Sequence, residues 1–387
     1  MRFALDREQQ DLQRLLRDFL TRYSDETEVR RLMVPGESHD PKVWARLADL
    51  GMTGLIVPEE YGGAGFGFVE LGVVLEELGR ALLVSPFVAS AVMTTSLLLS
   101  IDDAAAQREY LPALASGQLI GTVAMAEDDG HWTPETMRMT ATRAGDGWTL
   151  DGHKSFVLDA TSADLLLVIA RVGGAIPVGG AIPVGGAIGV GGEIGVFAVR
   201  ADAPGLTRAA LPTMDQTRKQ GRITCTGSPA RLIGSADGWP AIAKMLDLTC
   251  IAVGAEMLGG AQRTLDMAVE YAKVREQFGR TIGSFQAIKH KCATMLVEVE
   301  ACRSAVYYAL WAADTAAADL PATASLTKAF CSDTYLFTAG ENIQIHGGIG
   351  FTWEHPAHLY FKRAKNCALF LGGPDHHREQ LAQRIGI

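Results

Sequence analysis

Three runs of the chain carry residue types able to bind and transform a small molecule. The first is REQFG, in which Arg275 presents a planar, permanently charged fork suited to a pyrophosphate. Phe278 and Gly279 follow it as an aromatic and a residue free to take positive φ, a pair expected to end a helix. The second is QIHGG, where Gln344 and the amides of Gly347 and Gly348 can approach a nucleotide closely because glycine carries no side chain to block contact. The third, FKRAKNCALFLGGPDHH from Phe361 to His377, has the outline of a pocket edge. Its CALFL portion reads as extended and lands on Gly372-Gly373-Pro374. Asp375, His376 and His377 lie beyond that turn, where they fit a turn or a helix cap ahead of HHREQLAQRI.

The elements that must hold these runs follow from hydrophobic period. Leu5, Leu12, Leu15, Leu16, Phe19 and Leu20 recur at helical spacing, and Asp40-Pro41 before VWARLADLG gives an N-cap, a first-turn proline and a closing glycine. FVELGVVLEELGRAL continues the pattern, which defines a helical domain over residues 1–118. From Gly121 the period changes to short alternating runs, GTVAMAED, MRMTATRAG, WTLDGHKSFVLD and ADLLLVIARV, split by Gly-Asp-Gly and Asp-Gly pairs. That predicts an antiparallel, barrel-like β domain over 119–235. Within it, four hexads of GGAIPV type fill 173–196; they are too few for a β-helix and read as an expanded hairpin loop, which chain entropy tolerates. Helices return over 236–387, and Ile288, Cys292, Met295, Val299, Cys302 and Val306 show the 4-3-4-3-4 spacing of a bundle seam. The fold class is therefore mainly α with a central β domain and a C-terminal four-helix bundle.

Bulk properties exclude several functions. The chain has 387 residues with 48% hydrophobic and 20% charged, an ordinary globular composition with room for a large core. Its net charge of -9 argues against nucleic acid or an anionic membrane as partner. No stretch approaches the ~18 unbroken apolar residues of a transmembrane helix, and the first twenty residues lack a signal-peptide core. The six cysteines show neither CxxC nor metal-ligand spacing, so reduced thiols in a cytoplasm and no metal site are expected.

Several stretches together resemble one family, the flavin-dependent acyl-CoA dehydrogenases: VPEEYGGAGFG, WTLDGHKSFVLDATSADLLLV, REQFGRTIGSFQAIKH and ENIQIHGGIGF. The resemblance covers nearly the whole chain. It implies FAD, an acyl-CoA substrate, an acceptor such as an electron-transfer flavoprotein, and an oligomer, usually a dimer of dimers. It also implies that Arg275, Phe278, Gln344, Gly347 and Gly348 meet the adenine end of FAD across a subunit interface. Flavin-facing positions fall on Met125, Ala126, Phe156, Val157 and Leu158, where the family often has threonine at 126, tryptophan at 156 and threonine or serine at 158.

In the family a carboxylate removes the α proton of the thioester, and backbone donors hold its oxygen. The resemblance places that glutamate at Leu371, before Gly372, so the amide donor is kept and the carboxylate is not. An alternative family position, on the first bundle helix, falls on Thr249, beside Cys250 where an arginine often supports substrate; Asp247 shares this substrate-facing segment. Asp247 lies about 200° around the helix from Thr249, and Glu256 is ~10.5 Å along it, too far to substitute. Asp375 is left as the weak candidate base. The resemblance supports a dehydrogenase first, then a non-catalytic subunit completing the FAD site of a base-bearing partner in a mixed oligomer. A flavin oxidase or monooxygenase on the same scaffold comes third.

Overall fold

The computed structural model describes residues 5–34, 36–173 and 193–387. Most of the hexad tract, and with it the expanded-hairpin expectation, lies outside the described residues. The N-terminal helices are α1 (Arg7–Tyr23), α2 (Glu26–Leu32), α3 (Pro41–Asp49), α4 (Phe68–Arg80), α5 (Thr95–Ser100) and α6 (Ala104–Ala115). The Asp40 carboxylate caps α3 by accepting from the amides of Lys42 and Val43, and Pro41 opens the helix, as the sequence predicts. A π-helical turn, Val88–Thr94, leads directly into α5.

The central strands are β1 (Gly121–Ala124), β2 (Thr140–Ala144), β3 (Gly147–Leu158), β4 (Leu165–Val172), β5 (Ile194–Arg200), β6 (Leu206–Ala210) and β7 (Gln220–Ile233). Pairing runs β4-β2-β3-β7-β5 and returns to β4, so the sheet closes on itself, with β1 on β4 and β6 on β7 as flanking strands. β1 and β2 run parallel to β4 and the remaining pairs are antiparallel, a more mixed sheet than the turn signals alone indicate. The β3–β7 ladder slips between Lys154 and Val157, and Phe156 takes φ +58 there. That bulge turns the Phe156 side chain outward.

The C-terminal part consists of α7 (Trp239–Val274), the two-residue strands β8 (Glu276–Gln277) and β9 (Arg280–Thr281), then α8 (Gln286–Asp314), α9 (Leu320–His346), α10 (Ala357–Leu369) and α11 (Pro374–Arg384). Met295, Val299, Cys302 and Val306 are all at most 1% exposed, the seam that their spacing predicts. Two local expectations are corrected. CALFL is not extended, because α10 runs to Leu369 and buries Tyr360, Arg363, Ala364, Cys367 and Ala368 along one helical face. Phe278-Gly279 does not end a helix: α7 stops at Val274, and the pair, with φ +53 and +75, forms the tip of the β8–β9 hairpin.

Candidate active site

The turn after α10 is the centre of the site. Leu371 is 3% exposed and holds φ +64, a left-handed conformation that costs a leucine about 1–2 kcal/mol. Gly372 follows at φ +102, where a Cβ would lie 2.5 Å from the His376 ring, so only glycine fits. The Leu371 N–H donates to no acceptor among the described residues. Its carbonyl accepts from His377 Nε2 at 3.0 Å. Burial, reinforced by Lys328, pushes His377 down to about 3, which keeps the imidazole neutral.

Beside this turn, α10 and the β domain enclose a cleft of about 400 Å³. Trp132 and Phe370 meet edge to face at 5.3 Å on one side, and Phe156, Met214 and Leu369 form apolar wall. The side-chain oxygen of Asn366, in the same wall, is buried without a hydrogen-bond partner among the described residues. An apolar slot with aromatic walls and one orphaned acceptor fits a planar heteroaromatic ring that donates a hydrogen bond, which is the chemistry of a flavin. Of the five positions assigned to the flavin, only Phe156 offers an accessible side chain, at 39% exposed. Met125, Ala126, Val157 and Leu158 are at most 3% exposed and could contribute backbone only. Two of those backbones are already engaged, the Ala126 carbonyl by Ser155 N–H at 2.9 Å and the Leu158 carbonyl by Thr122 Oγ1 at 2.6 Å.

A buried charge cluster underlies the cleft. Arg363 of α10 donates to Asp215 at 2.9 Å, to Thr217 Oγ1 at 2.6 Å and to Glu256 of α7 at 2.6 Å. Arg218 completes it with a hydrogen bond to the other Glu256 oxygen, while its guanidinium lies 5.9 Å from the Phe370 ring. Burial pushes Glu256 up, but Arg218 and Arg363 outweigh it and hold the carboxyl below its usual range. Asp159 faces the same interior at φ +50, and its carboxyl is pushed up to about 7 by burial, against the pull of Arg218, Lys219 and Arg363. A cavity of about 20 Å³, room for one water, separates these groups from Leu75, Leu78 and Phe87.

The remaining assigned residues fall outside the cleft. Asp375 points away: its side chain is fully solvated and 2.8 Å from Arg378, so it serves the first turn of α11 and cannot act as a base at Leu371. Thr249 is 0% exposed and its hydroxyl donates to the Met245 carbonyl at 2.7 Å. Cys250 is buried with its thiol pushed up to about 12 by that burial. Asp247 pairs with Arg384 at 2.8 Å, and burial raises its carboxyl to about 6. No substrate can reach these three, because α7 is buried on every side over this stretch. Arg275, Phe278, Gln344, Gly347 and Gly348 are exposed, Phe278 at 92%, and Arg275 makes no ion pair among the described residues. Sequence reasoning missed Asp159, Arg218 and Lys328. Lys328 alone left a trace, as a lysine on the apolar face of α9.

Comparisons with known proteins agree along the chain. The model for the N-terminal domain of acyl-CoA dehydrogenases matches residues 6–118, and that for the C-terminal domain matches 236–386. Acyl-CoA dehydrogenase IpdE2 of Mycolicibacterium smegmatis is 32% identical over 360 residues, covering 91% of this chain and 90% of that one. Among solved structures, the Tcur3481-Tcur3483 steroid ACAD variant superposes with a TM-score of 0.83 at 33% identity, covering 98% and 97% of the two chains. The ChsE4-ChsE5 complex of Mycobacterium tuberculosis gives 0.86 at 27%, covering 100% and 99%.

Proposed function

The chain belongs to the acyl-CoA dehydrogenase family and is an FAD-dependent oxidoreductase acting on acyl-CoA thioesters; from that premise we propose that it works in an oligomer whose proton-abstracting carboxylate is carried by another, homologous chain. The observation that carries the reading is Leu371, a buried aliphatic side chain on a turn that keeps an unengaged backbone donor. Bound FAD supplies the acceptor for the β hydride. The protein must do the rest: orient the thioester, hold its oxygen as the α carbon loses its proton, and provide a base. The Leu371 N–H suits the second task. For the third, no carboxylate among the described residues is both free and accessible beside the turn, since Glu256 and Asp215 are locked to arginines and Asp375 faces solvent.

Two solved neighbours, the Tcur3481-Tcur3483 steroid ACAD variant and the ChsE4-ChsE5 complex, each pair two differently named proteins, which supports a mixed assembly for this chain. Arg275, Phe278, Gln344, Gly347 and Gly348 would then meet the adenine half of FAD at a subunit interface, with the ring in the cleft against Phe156. The same reading puts domain boundaries near 118 and 235, a dimer-of-dimers assembly in the cytoplasm, and an electron-transfer flavoprotein as acceptor. No helix among the described residues is long and apolar enough to cross a membrane.

The test is to express the chain alone and beside a homologous neighbour, then record flavin per chain and bleaching by an acyl-CoA. Bleaching that needs the second chain supports the reading. Rapid bleaching by the homo-oligomer would show that this chain has its own base.

A further inference from the structure

Behind the Leu371 turn lies a charged group that the chemistry above does not use. Lys328, in the first half of α9, is 0% exposed and makes no ion pair among the described residues. Its ammonium donates instead to the carbonyls of Ala368 at 3.2 Å and Gly372 at 3.1 Å, and to Ser332 Oγ at 3.3 Å. Those three acceptors take up its three donors.

The two carbonyls lie on either side of Leu371. Ala368 belongs to the last turn of α10, where carbonyls lack helical partners and the helix dipole is negative. Gly372 comes directly after Leu371. One nitrogen thus ties together the entry and the exit of a turn whose central residue holds a conformation leucine does not favour. A methionine of similar length would fill the space without the cost of desolvating a charge, so filling the core does not explain a lysine here.

We propose that Lys328 is a positioning residue, whose bridge between the carbonyls of Ala368 and Gly372 sets the Leu371 N–H for the thioester oxygen. The inference rests on the reading of that amide as the thioester donor.

The test uses the FAD-loaded protein, assembled with whichever homologous subunit it needs to retain flavin. It is given 3-thiabutyryl-CoA, which cannot release a β hydride, labelled with ¹³C at the thioester carbonyl. Isotope-edited infrared difference spectra then report the carbonyl stretch. The wild type is expected to lower the stretch relative to the free analogue. Lys328→Met should lose at least half of that shift at unchanged flavin content, and Lys328→Arg should recover part of it. With a reactive thioester, Lys328→Met should lower kcat roughly 10²-fold and leave KM nearly unchanged, as expected for a donor displaced by about 1 Å. A full wild-type shift in Lys328→Met overturns the inference and leaves the role of Leu371 intact; no shift in the wild type overturns both. Should Lys328→Met not fold, Lys328→Gln replaces it, because its shorter arm cannot span both carbonyls; a full shift there also overturns the inference.

Discussion

Arg363 and Glu256 meet at 2.6 Å with both side chains at most 6% exposed, joining the helix that leads into the Leu371 turn to the long helix of the bundle. The pair removes a buried carboxylate of α7 from proton transfer, and Arg363 fixes α10 against the β domain through Asp215 and Thr217.

Removing one partner should therefore be costly. Arg363→Met leaves Glu256 and Asp215 buried beside a single remaining arginine, and loss of one member of a buried pair costs about 3–5 kcal/mol. Urea unfolding should show a stability lowered accordingly, whereas Arg378→Met, at the solvated pairs with Asp375 and with Asp333 of α9, should lower it by less than about 1 kcal/mol per pair.

Restoring a carboxylate is the converse experiment. Leu371→Glu places a base on a turn whose backbone is already formed, and a positioned general base is worth about 10²- to 10⁴-fold. Stopped-flow bleaching of the flavin by an acyl-CoA should rise within that range in the chain without a partner. An unchanged rate would mean that the thioester does not reach this turn.

The Arg275 side chain makes no ion pair among the described residues, so its replacement should spare the fold and affect the cofactor. Arg275→Ala is expected to weaken FAD retention by about 1.5–3 kcal/mol, the range for a hydrogen bond to a charged group. Flavin absorbance after gel filtration measures this, with an unchanged melting curve of the apoprotein as control.

Asp159 gives the stability a pH dependence. Its folded pKa of about 7 lies above the usual aspartate value, so the folded state binds the extra proton. Stability from this group is complete below about pH 4 and declines as pH rises through 7. Asp159→Asn should flatten that decline and gain on the order of 2–4 kcal/mol at pH 8, with little gain at pH 4. Parallel denaturant curves at the two pH values decide it.

Local features were the legible ones. The cap at Asp40, the seam from Met295 to Val306 and the switch of period near Gly121 each lie within a dozen residues, where spacing determines side-chain direction. CALFL misled because a short apolar run looks the same whether extended or at the buried end of a helix. The charge cluster was not legible, since Asp215, Arg218, Glu256 and Arg363 come from distant segments and only the packed fold makes them neighbours. Asp375 looked available in sequence, but the turn at Gly372-Gly373 directs it to solvent.

The bulge at Lys154–Val157 makes the cleft wall depend on counting. Lys154, fully buried, points inward to Glu127 at 2.9 Å, and two residues later Phe156 faces out. In a strand, parity alone decides which side chains share a face. Deleting one residue here would remove the extra residue of the bulge and the positive-φ kink that aims Phe156 at the cleft, so this segment should accept changes of residue type far more readily than changes of length.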